Sequence, residues 1–475
     1  MKYSPVVVIL LLIVLQILIF IPNVGEGYIR DDFTWLENTV HDGKVDYFRP
    51  FTKTTGFFRP MVSMTFGLQY QIHGLHPKPF GLFNLLLHSL NIVLVFLLLS
   101  CWEESKPYAL GASILFALNG KAAGTAVGWI SGRTTLLVSF FLLLSLYSFL
   151  RLPKKNPLRF VLTAVFYFAS LLSKETAAAA PVFVFFFVFL TSHEGHLKTD
   201  FIPRIKKGLG TTAVFIVPLV FYFLLRFHSN AMTPLNAPDY YKYTFSPLLL
   251  LENLIEYIIR AGLLNIYAIF LFFILVLASF VLGENKPVPK GIFDSSTAYI
   301  GLLWFVSFLL SSVFLPVRSN LYSYFPQIGL HISALVVLFF IWSNRIKPQK
   351  VLRNITLILV CLLILGWGRY LFLKSKSYGE DGKVSAQFTE QVIRAVSDIP
   401  SEAKVYVIDR HFGERRSPSI LISHGFNSLL NLYYPQKHLR GKIVSPNEAA
   451  KTKDDPAAFF FRWENGGLSP RPLDF

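Results

Sequence analysis

The chain has 475 residues, 53% hydrophobic, 47 of them Phe, and only 15% charged. A soluble globular chain carries about 25% charged residues, so these long apolar runs cut by short basic loops place the chain among polytopic membrane proteins. The net charge of +17 does not signal nucleic-acid binding, because many of the Lys and Arg residues lie in short loops between apolar runs, where they set topology.

A helix needs about 20 apolar residues to cross the hydrocarbon core. Taken in chain order, stretches near 5–22, 80–100, 107–121, 134–150, 159–173, 177–191, 209–227, 265–282, 298–315, 324–342 and 354–373 qualify, which predicts about eleven spans. The third, fifth and sixth are short and would tilt, thin the bilayer or enter it partly. The first follows a single Lys and has no small-residue cleavage site after Ile21, so it reads as a retained helix. Cys101 and Cys361 lie far apart in or beside apolar segments and imply neither a disulfide framework nor a metal site.

Three loops are basic. They hold Arg151, Lys154, Lys155 and Arg159; Lys198, Arg204, Lys206 and Lys207; and Arg345, Lys347, Lys350 and Arg353. All three fall on one side of the predicted spans, which makes that side cytoplasmic. The N-terminus is then cytoplasmic, and the first loop and everything after about residue 374 lie outside. The second half of the outer loop 23–79 reads as an interfacial helix over 59–75. A Tyr- and Pro-rich loop over 228–246 feeds an amphipathic helix ending near 264. The tail 374–475 reads as a small α/β domain. It has a helix over 384–399, a strand at "AKVYVIDR", a helix around 418–432 and a hairpin turning at Asn465-Gly466-Gly467. About 100 residues can hold their own core.

Charges at membrane depth are costly and default to functional hypotheses. Here they cluster at predicted outer ends: Asp31 and Asp32, Arg59, Arg133 in "GWISGRTT", Lys174 and Glu175 in "LLSKETAAAAP", and Arg318 in "PVRSNLYSYFP". Acids and cations at one level suit a reaction on a phosphate-bearing lipid. Cations hold the phosphate and stabilise it as a leaving group, and a carboxylate takes the proton of an attacking hydroxyl. Each residue also has a plainer reading. Asp31 and Asp32 would be solvated loop acids or a helix cap. Lys174 and Glu175 would be an ion pair closing a turn, and Arg133 and Arg318 snorkelling anchors. His73, His76 and His88 lack metal-ligand spacing and read as interface or packing residues. Tyr240, Tyr241 and Tyr243 fit an aromatic belt.

In order, "RDDF", "FRPMVSMTFGLQYQIHGLHPKPFGLFNLLLHSLN", "GWISGRTTLLVSFFLLLSLY", "LLSKETAAAAP" and "LYSYFPQIGL" span about residues 30–330. This ordered set resembles the GT-C superfamily of integral membrane glycosyltransferases. Within it, the set resembles the membrane half of the transmembrane-and-tetratricopeptide O-mannosyltransferases and their bacterial relatives. The resemblance implies an α-helical polytopic GT-C-like fold and a sugar donor carried on a polyprenyl phosphate. It also implies that one Asp of the first outer loop acts as catalytic base, matching Asp31 or Asp32, with Asp31 preferred by analogy. Lys174, Arg318 and Arg133 would bind the donor phosphate; Glu175, Arg59 and Tyr322 would line the site. Three departures stand out. Leu321 occupies the place where relatives carry an Arg, "FALNGKAAGTAVGW" lacks a His-Pro and a Glu, and Gly81 stands where His is common. No tetratricopeptide stretch is legible, so a protein acceptor is not implied over a glycan or lipid.

The expectation is an inverting glycosyltransferase at the outer face of a membrane, with the bacterial inner membrane as the expected host. It needs no metal, although a divalent ion on the acidic pair stays open. A flippase of lipid-linked sugars is one rival, but the inverted repeats common in transporters are not legible here. A non-catalytic scaffold is the other.

Overall fold

The computed structural model describes residues 4–52, 57–102, 105–153, 155–191, 201–229, 231, 239–262, 296–343, 350–452 and 455–470. The expected span 265–282 lies outside the described residues, as do most of the Pro-rich loop and the basic residues Lys154, Lys198, Arg345 and Lys347. Helix dominates. Pro77–Ser100, Ile130–Arg151, Phe201–His228 and Lys350–Val396 are each long and apolar enough to cross a membrane. Shorter apolar helices, Pro5–Phe20, Pro157–Leu171, Glu175–Thr191, Ser296–Leu309 and Gln327–Ile341, cover the remaining described stretches. This is an integral membrane protein.

The third expected span is not one straight helix. Lys106–Leu118 and Ala122–Gly128 meet at 56°. The cause is local. Asn119 leaves the helical region (ψ 93°), and its Oδ1 accepts the amides of Lys121 and Ala122, so it ends one helix and caps the next.

The chain forms two compact units. One comprises Met1–Ile19, Leu85–Ala126 and Thr134–Lys374; the other comprises Phe20–Asn84, Val127–Arg133 and Ser375–Phe475. The sequence-based division near residue 374 therefore misses that the first loop and the "GWISGR" turn fold with the tail.

In the first unit, Ser296–Leu309 lies against Gln327–Ile341 through glycines. A Cβ on Gly329 would stand 2.8 Å from Trp304 Cβ and 2.9 Å from the Phe305 amide. Such close approach is how helices associate where lipid removes the hydrophobic drive. Ser333 Oγ donates to Ala298 O at 2.8 Å across the same seam. The expected amphipathic helix runs from Pro247 to Arg260, burying Asn253 and Tyr257 while Leu248, Leu251 and Ile255 stay exposed.

In the second unit, four strands take the order Arg440–Val444, Lys404–Asp409, Ala458–Glu464, Gly467–Pro470. The first three are parallel and the last pair is a hairpin. That hairpin turns on Asn465 (φ 51°) and Gly466 (φ 78°), the left-handed pair that a tight two-residue turn requires. The helix expected over 384–399 is not separate. It is the end of one 47-residue helix, Lys350–Val396, roughly 70 Å long. No proline interrupts it, and its polar half is amphipathic, burying Phe388, Val392 and Val396 at four-residue spacing. Gly382 in this helix lets the chain at Gly27 approach so closely that a Cβ on Gly27 would collide with the Gly382 carbonyl.

Replacing Gly329 with Val should separate the two helices it joins. Thermal unfolding of the protein in lipid nanodiscs should show a midpoint several degrees lower, whereas Gly366→Val, a site with open space around it, should leave the midpoint near wild type.

Candidate active site

The second unit holds the acidic pair. After the first apolar helix ends at Phe20, the chain turns through Arg30, a non-glycine residue at φ 58°, into the short helix Asp32–Glu37. Asp32 is fully buried. Its Oδ2 accepts the Ile29 amide at 2.8 Å; its Oδ1 accepts the Ser131 amide at 2.8 Å and the Ser131 hydroxyl. Asp31 is half-buried and makes no side-chain cap. Its Oδ2 accepts Trp35 Nε1–H at 3.3 Å, while its Oδ1 is buried without a hydrogen-bond partner among the described residues. Asp32 is therefore not a solvated loop acid, and Asp31, although it stands at the N-cap position, caps no amide with its side chain.

The two carboxyls are unlike. Asp32 spends both oxygens holding the Ser131 turn against the first loop. Asp31 has one oxygen held by Trp35 and lies near enough to Ser131 for that hydroxyl to favour its charged form. Its Oδ1 makes no hydrogen bond of good geometry among the described residues. Burial, and after it the neighbouring Asp31 charge, push Asp32 up to about 7. Burial also raises Asp31, against the opposing pull of its hydrogen bonds and the Arg30 charge. As a pair they hold a proton to higher pH than free carboxylates, because two like charges in a dry site resist ionising together.

Aromatic rings enclose the pair. Tyr28 lies 4.9 Å from Phe33 and 5.7 Å from Phe80, and Trp35 stacks on Phe66 at 6.4 Å. Arg133 neither snorkels nor reaches solvent. It is fully buried, donating from Nε to Asn84 Oδ1 at 3.1 Å and from Nη2 to Phe80 O at 2.9 Å, with its guanidinium 4.3 Å from the Phe66 ring. These contacts make it a clamp, which corrects the reading of Arg133 as a snorkelling anchor. Arg59 is also buried, 4.4 Å from the Phe57 ring and 5.9 Å from that of Trp35, the residue that holds Asp31. Gly81 has a packing reason for not being His: a Cβ there would lie 2.7 Å from the Gly25 amide.

The first unit holds Lys174. It is buried, and its Nζ donates to Thr135 Oγ1 at 2.9 Å and stands 4.9 Å from the Tyr322 ring centre. With Thr176, Phe308 and Phe325 these residues line a cleft of about 310 Å3 counted to its open mouth. Thr135, Val138 and Leu142 of helix Arg133–Arg151 line this cleft, and Leu146 and Leu150 farther along the same helix line a second, separate and mostly apolar cleft. Trp304 and Gly301 also line the second cleft. Thr135 to Leu150 spans roughly 22 Å of helix. Glu175 is half-buried at the start of the next helical turn.

Arg318 is not among the residues lining the Lys174 cleft. Its Nη2 pairs with Glu252 Oε2 at 2.6 Å and its Nε donates to Asn253 Oδ1 at 2.7 Å. Its expected phosphate role thus competes with an ion pair already made. His88 packs, with Nδ1 2.7 Å from Tyr324 OH. Among the described residues, no group of three His, Cys, Asp or Glu side chains is placed to hold a metal. Sequence reasoning did not single out Ser131, Trp35 or Thr135. Their only signal was proximity to charged neighbours in the quoted motifs.

No family model matches the chain. Protein O-mannosyl-transferase Tmtc1 of Drosophila melanogaster is 33% identical over 126 residues, 26% of this chain and 15% of that protein's length. The structure of ArnT from Cupriavidus metallidurans bound to undecaprenyl phosphate superimposes with a TM-score of 0.53 at 12% identity, over 96% of this chain and 92% of that one. The chain has the fold of the GT-C membrane glycosyltransferases. An oligosaccharyltransferase from Archaeoglobus fulgidus aligns over 93% of this chain and 64% of that one at 12% identity, with a TM-score of 0.49.

Two outcomes follow from this geometry. Arg133→Met leaves the Asn84 and Phe80 oxygens unpaired and should cost roughly 3 kcal/mol, read as a lower unfolding midpoint. Arg133→Lys should not restore it, because the planar fork is what reaches both oxygens. Asp32 gives a pH signature. An acid whose folded pKa lies above its unfolded value of about 3.9 takes up a proton on folding, so its contribution is full at low pH and is lost as pH rises through about 7. Between pH 5 and 8 the midpoint of wild type should fall, and Asp32→Asn should flatten that slope while lowering the midpoint at pH 5.

Proposed function

We propose that this chain is an inverting glycosyltransferase that moves a sugar from a polyprenyl-phosphate carrier to a hydroxyl acceptor at the outer face of the membrane, most naturally a bacterial inner membrane. The observation that carries the reading is Asp31: a carboxylate with one oxygen fixed by Trp35 and the other buried and uncommitted. That is what a general base needs, since the fixed oxygen sets orientation and the spare one takes the proton.

The roles follow. The acceptor hydroxyl gives its proton to Asp31 Oδ1 as its oxygen bonds to the anomeric carbon. The bond from that carbon to the phosphate oxygen breaks on the opposite face, and the lipid phosphate leaves with the electron pair. Lys174 steadies the phosphate charge, and the apolar face from Val138 to Leu150 takes the isoprenoid chain. A cation in a cleft whose other walls are largely apolar, within a membrane protein, supports a phosphate-headed lipid over a soluble nucleotide sugar. Asp32 is a positioning residue that holds the Ser131 turn. Arg133 keeps that turn closed, and we do not assign it to the phosphate. The reaction as drawn needs no metal, because a lipid phosphate is already a competent leaving group. The shorter apolar helices count as spans in this reading, with the first loop and the tail outside.

One observation favours a second reading. The break at Asn119–Lys121 is the kind of discontinuous helix that transporters use at their binding sites. A flippase of lipid-linked sugars, however, needs no base.

Envelope glycans and glycolipids of a strain lacking this protein should lack a sugar that wild type restores, by mass spectrometry. Asp31→Asn, made at wild-type level, should lower its transfer by at least 100-fold. Lys174→Gln should lower it by at least tenfold. In vitro, wild-type transfer should fall towards acid pH, where Asp31, which burial raises above the ordinary carboxylate range, takes up its proton. Full activity in Asp31→Asn would end the transferase assignment of this carboxyl and favour the flippase.

A further inference from the structure

Arg30 immediately precedes the acidic pair and has no role in the scheme above. Its backbone is held left-handed at φ 58°, a conformation that costs a non-glycine residue roughly 1–2 kcal/mol. The Arg30 amide donates to Leu421 O, which fixes the kink. Its guanidinium lies 5.0 Å from the Trp129 ring centre and 6.0 Å from that of Tyr378. The ring faces hold the plane of the guanidinium. Its N–H edge makes no hydrogen bond and no ion pair among the described residues, whereas Arg416, which lies nearby in sequence to Leu421, is fully engaged by Glu380 and Asp381. The indole N–H of Trp129 is likewise buried without a partner among the described residues. Two sets of donors therefore lack hydrogen-bond partners among the described residues. Where burial raises the pKa of the adjacent Asp31 carboxyl, the Arg30 charge acts on it to lower it. A purely structural cation–π contact would explain the stacking. It would not explain a strained backbone, or a buried indole N–H left unsatisfied, which typically costs about 1–3 kcal/mol.

We propose that Arg30, with the Trp129 N–H, binds an anionic group on the acceptor, so that the acceptor is a glycan or lipid carrying a phosphate or carboxylate near its reacting hydroxyl. This rests on the transferase reading. In an inverting displacement the base and acceptor stand on one face of the sugar and the leaving phosphate on the other. A cation fixed beside the base therefore serves the acceptor, and Lys174 is left to serve the donor. Arg is the residue suited to this task, since its planar fork matches phosphate and carboxylate oxygens in pairs.

The test is equilibrium binding to the full chain in phosphatidylcholine nanodiscs. The acceptor probes are methyl glucoside, methyl glucoside 6-phosphate and methyl glucuronide; the donor probe is undecaprenyl phosphate. Wild type should bind at least one anionic glucoside tenfold or more tighter than the neutral one, and which of the two wins tells phosphate from carboxylate. Arg30→Gln should erase that preference and leave undecaprenyl phosphate within twofold of wild type. Lys174→Gln should do the reverse. Arg30→Lys, which keeps the charge, should retain part of the preference and guards against a misfolded Gln variant. Equal binding of all three glucosides by wild type would overturn the proposal, as would anion preference that survives in Arg30→Gln. Loss of undecaprenyl phosphate binding in Arg30→Gln but not in Lys174→Gln would place Arg30 on the donor instead. Undecaprenyl phosphate binding unaffected by Lys174→Gln, with the Arg30 results as expected, would fault the donor assignment alone.

Discussion

The burial of the Asp32 carboxylate constrains everything around it. A carboxylate out of water must have its oxygens met by donors, and here the donors come from two distant stretches of chain, Ile29 and Ser131. Satisfying Asp32 brings the "GWISGR" turn onto the first loop. That contact seats Arg133 among Phe66, Phe80 and Phe83 and places Trp129 beside Arg30. A buried acid thus does structural work, while an oxygen of its neighbour Asp31 makes no hydrogen bond among the described residues.

The same division of labour runs through the cations. Arg133 and Arg318 have committed their guanidinium groups to protein oxygens. Lys174 lines a cleft, and the Arg30 guanidinium makes no hydrogen bond or ion pair among the described residues. Residues that look alike in the sequence, a charge at the end of an apolar run, differ in what they touch once the chain is folded. Other positions singled out in the sequence have local causes of the same kind: Gly81 is small because Gly25 passes against it, and the side chain of Asn119 caps the following helix segment.

Much was legible in the sequence because bilayers impose a coarse rule. Apolar stretches of the right length become helices, and every described one is helical over most of its length. Their ends moved, however: one starts at Phe201, one stops at Leu309 and one runs on to Val396. Asn465-Gly466 is equally local, since its two left-handed positions need only their own residue types. The acidic pair, Lys174 and the resemblance carried by the ordered motifs were visible because charge at membrane depth is rare. The resemblance agrees with the ArnT fold.

Tertiary structure alone decided the rest. It joined the first loop to the tail, because those contacts pair residues some 350 positions apart, such as Asn23 with Ser375, and no periodicity encodes such a pairing. It made one helix of the last span and the first tail helix, since an amphipathic extension becomes stable only when Phe388 and Val392 find a core to enter. It distinguished Asp31 from Asp32, two identical side chains one residue apart. Their difference lies in which oxygens meet donors from elsewhere in the chain, and a linear sequence does not carry that information.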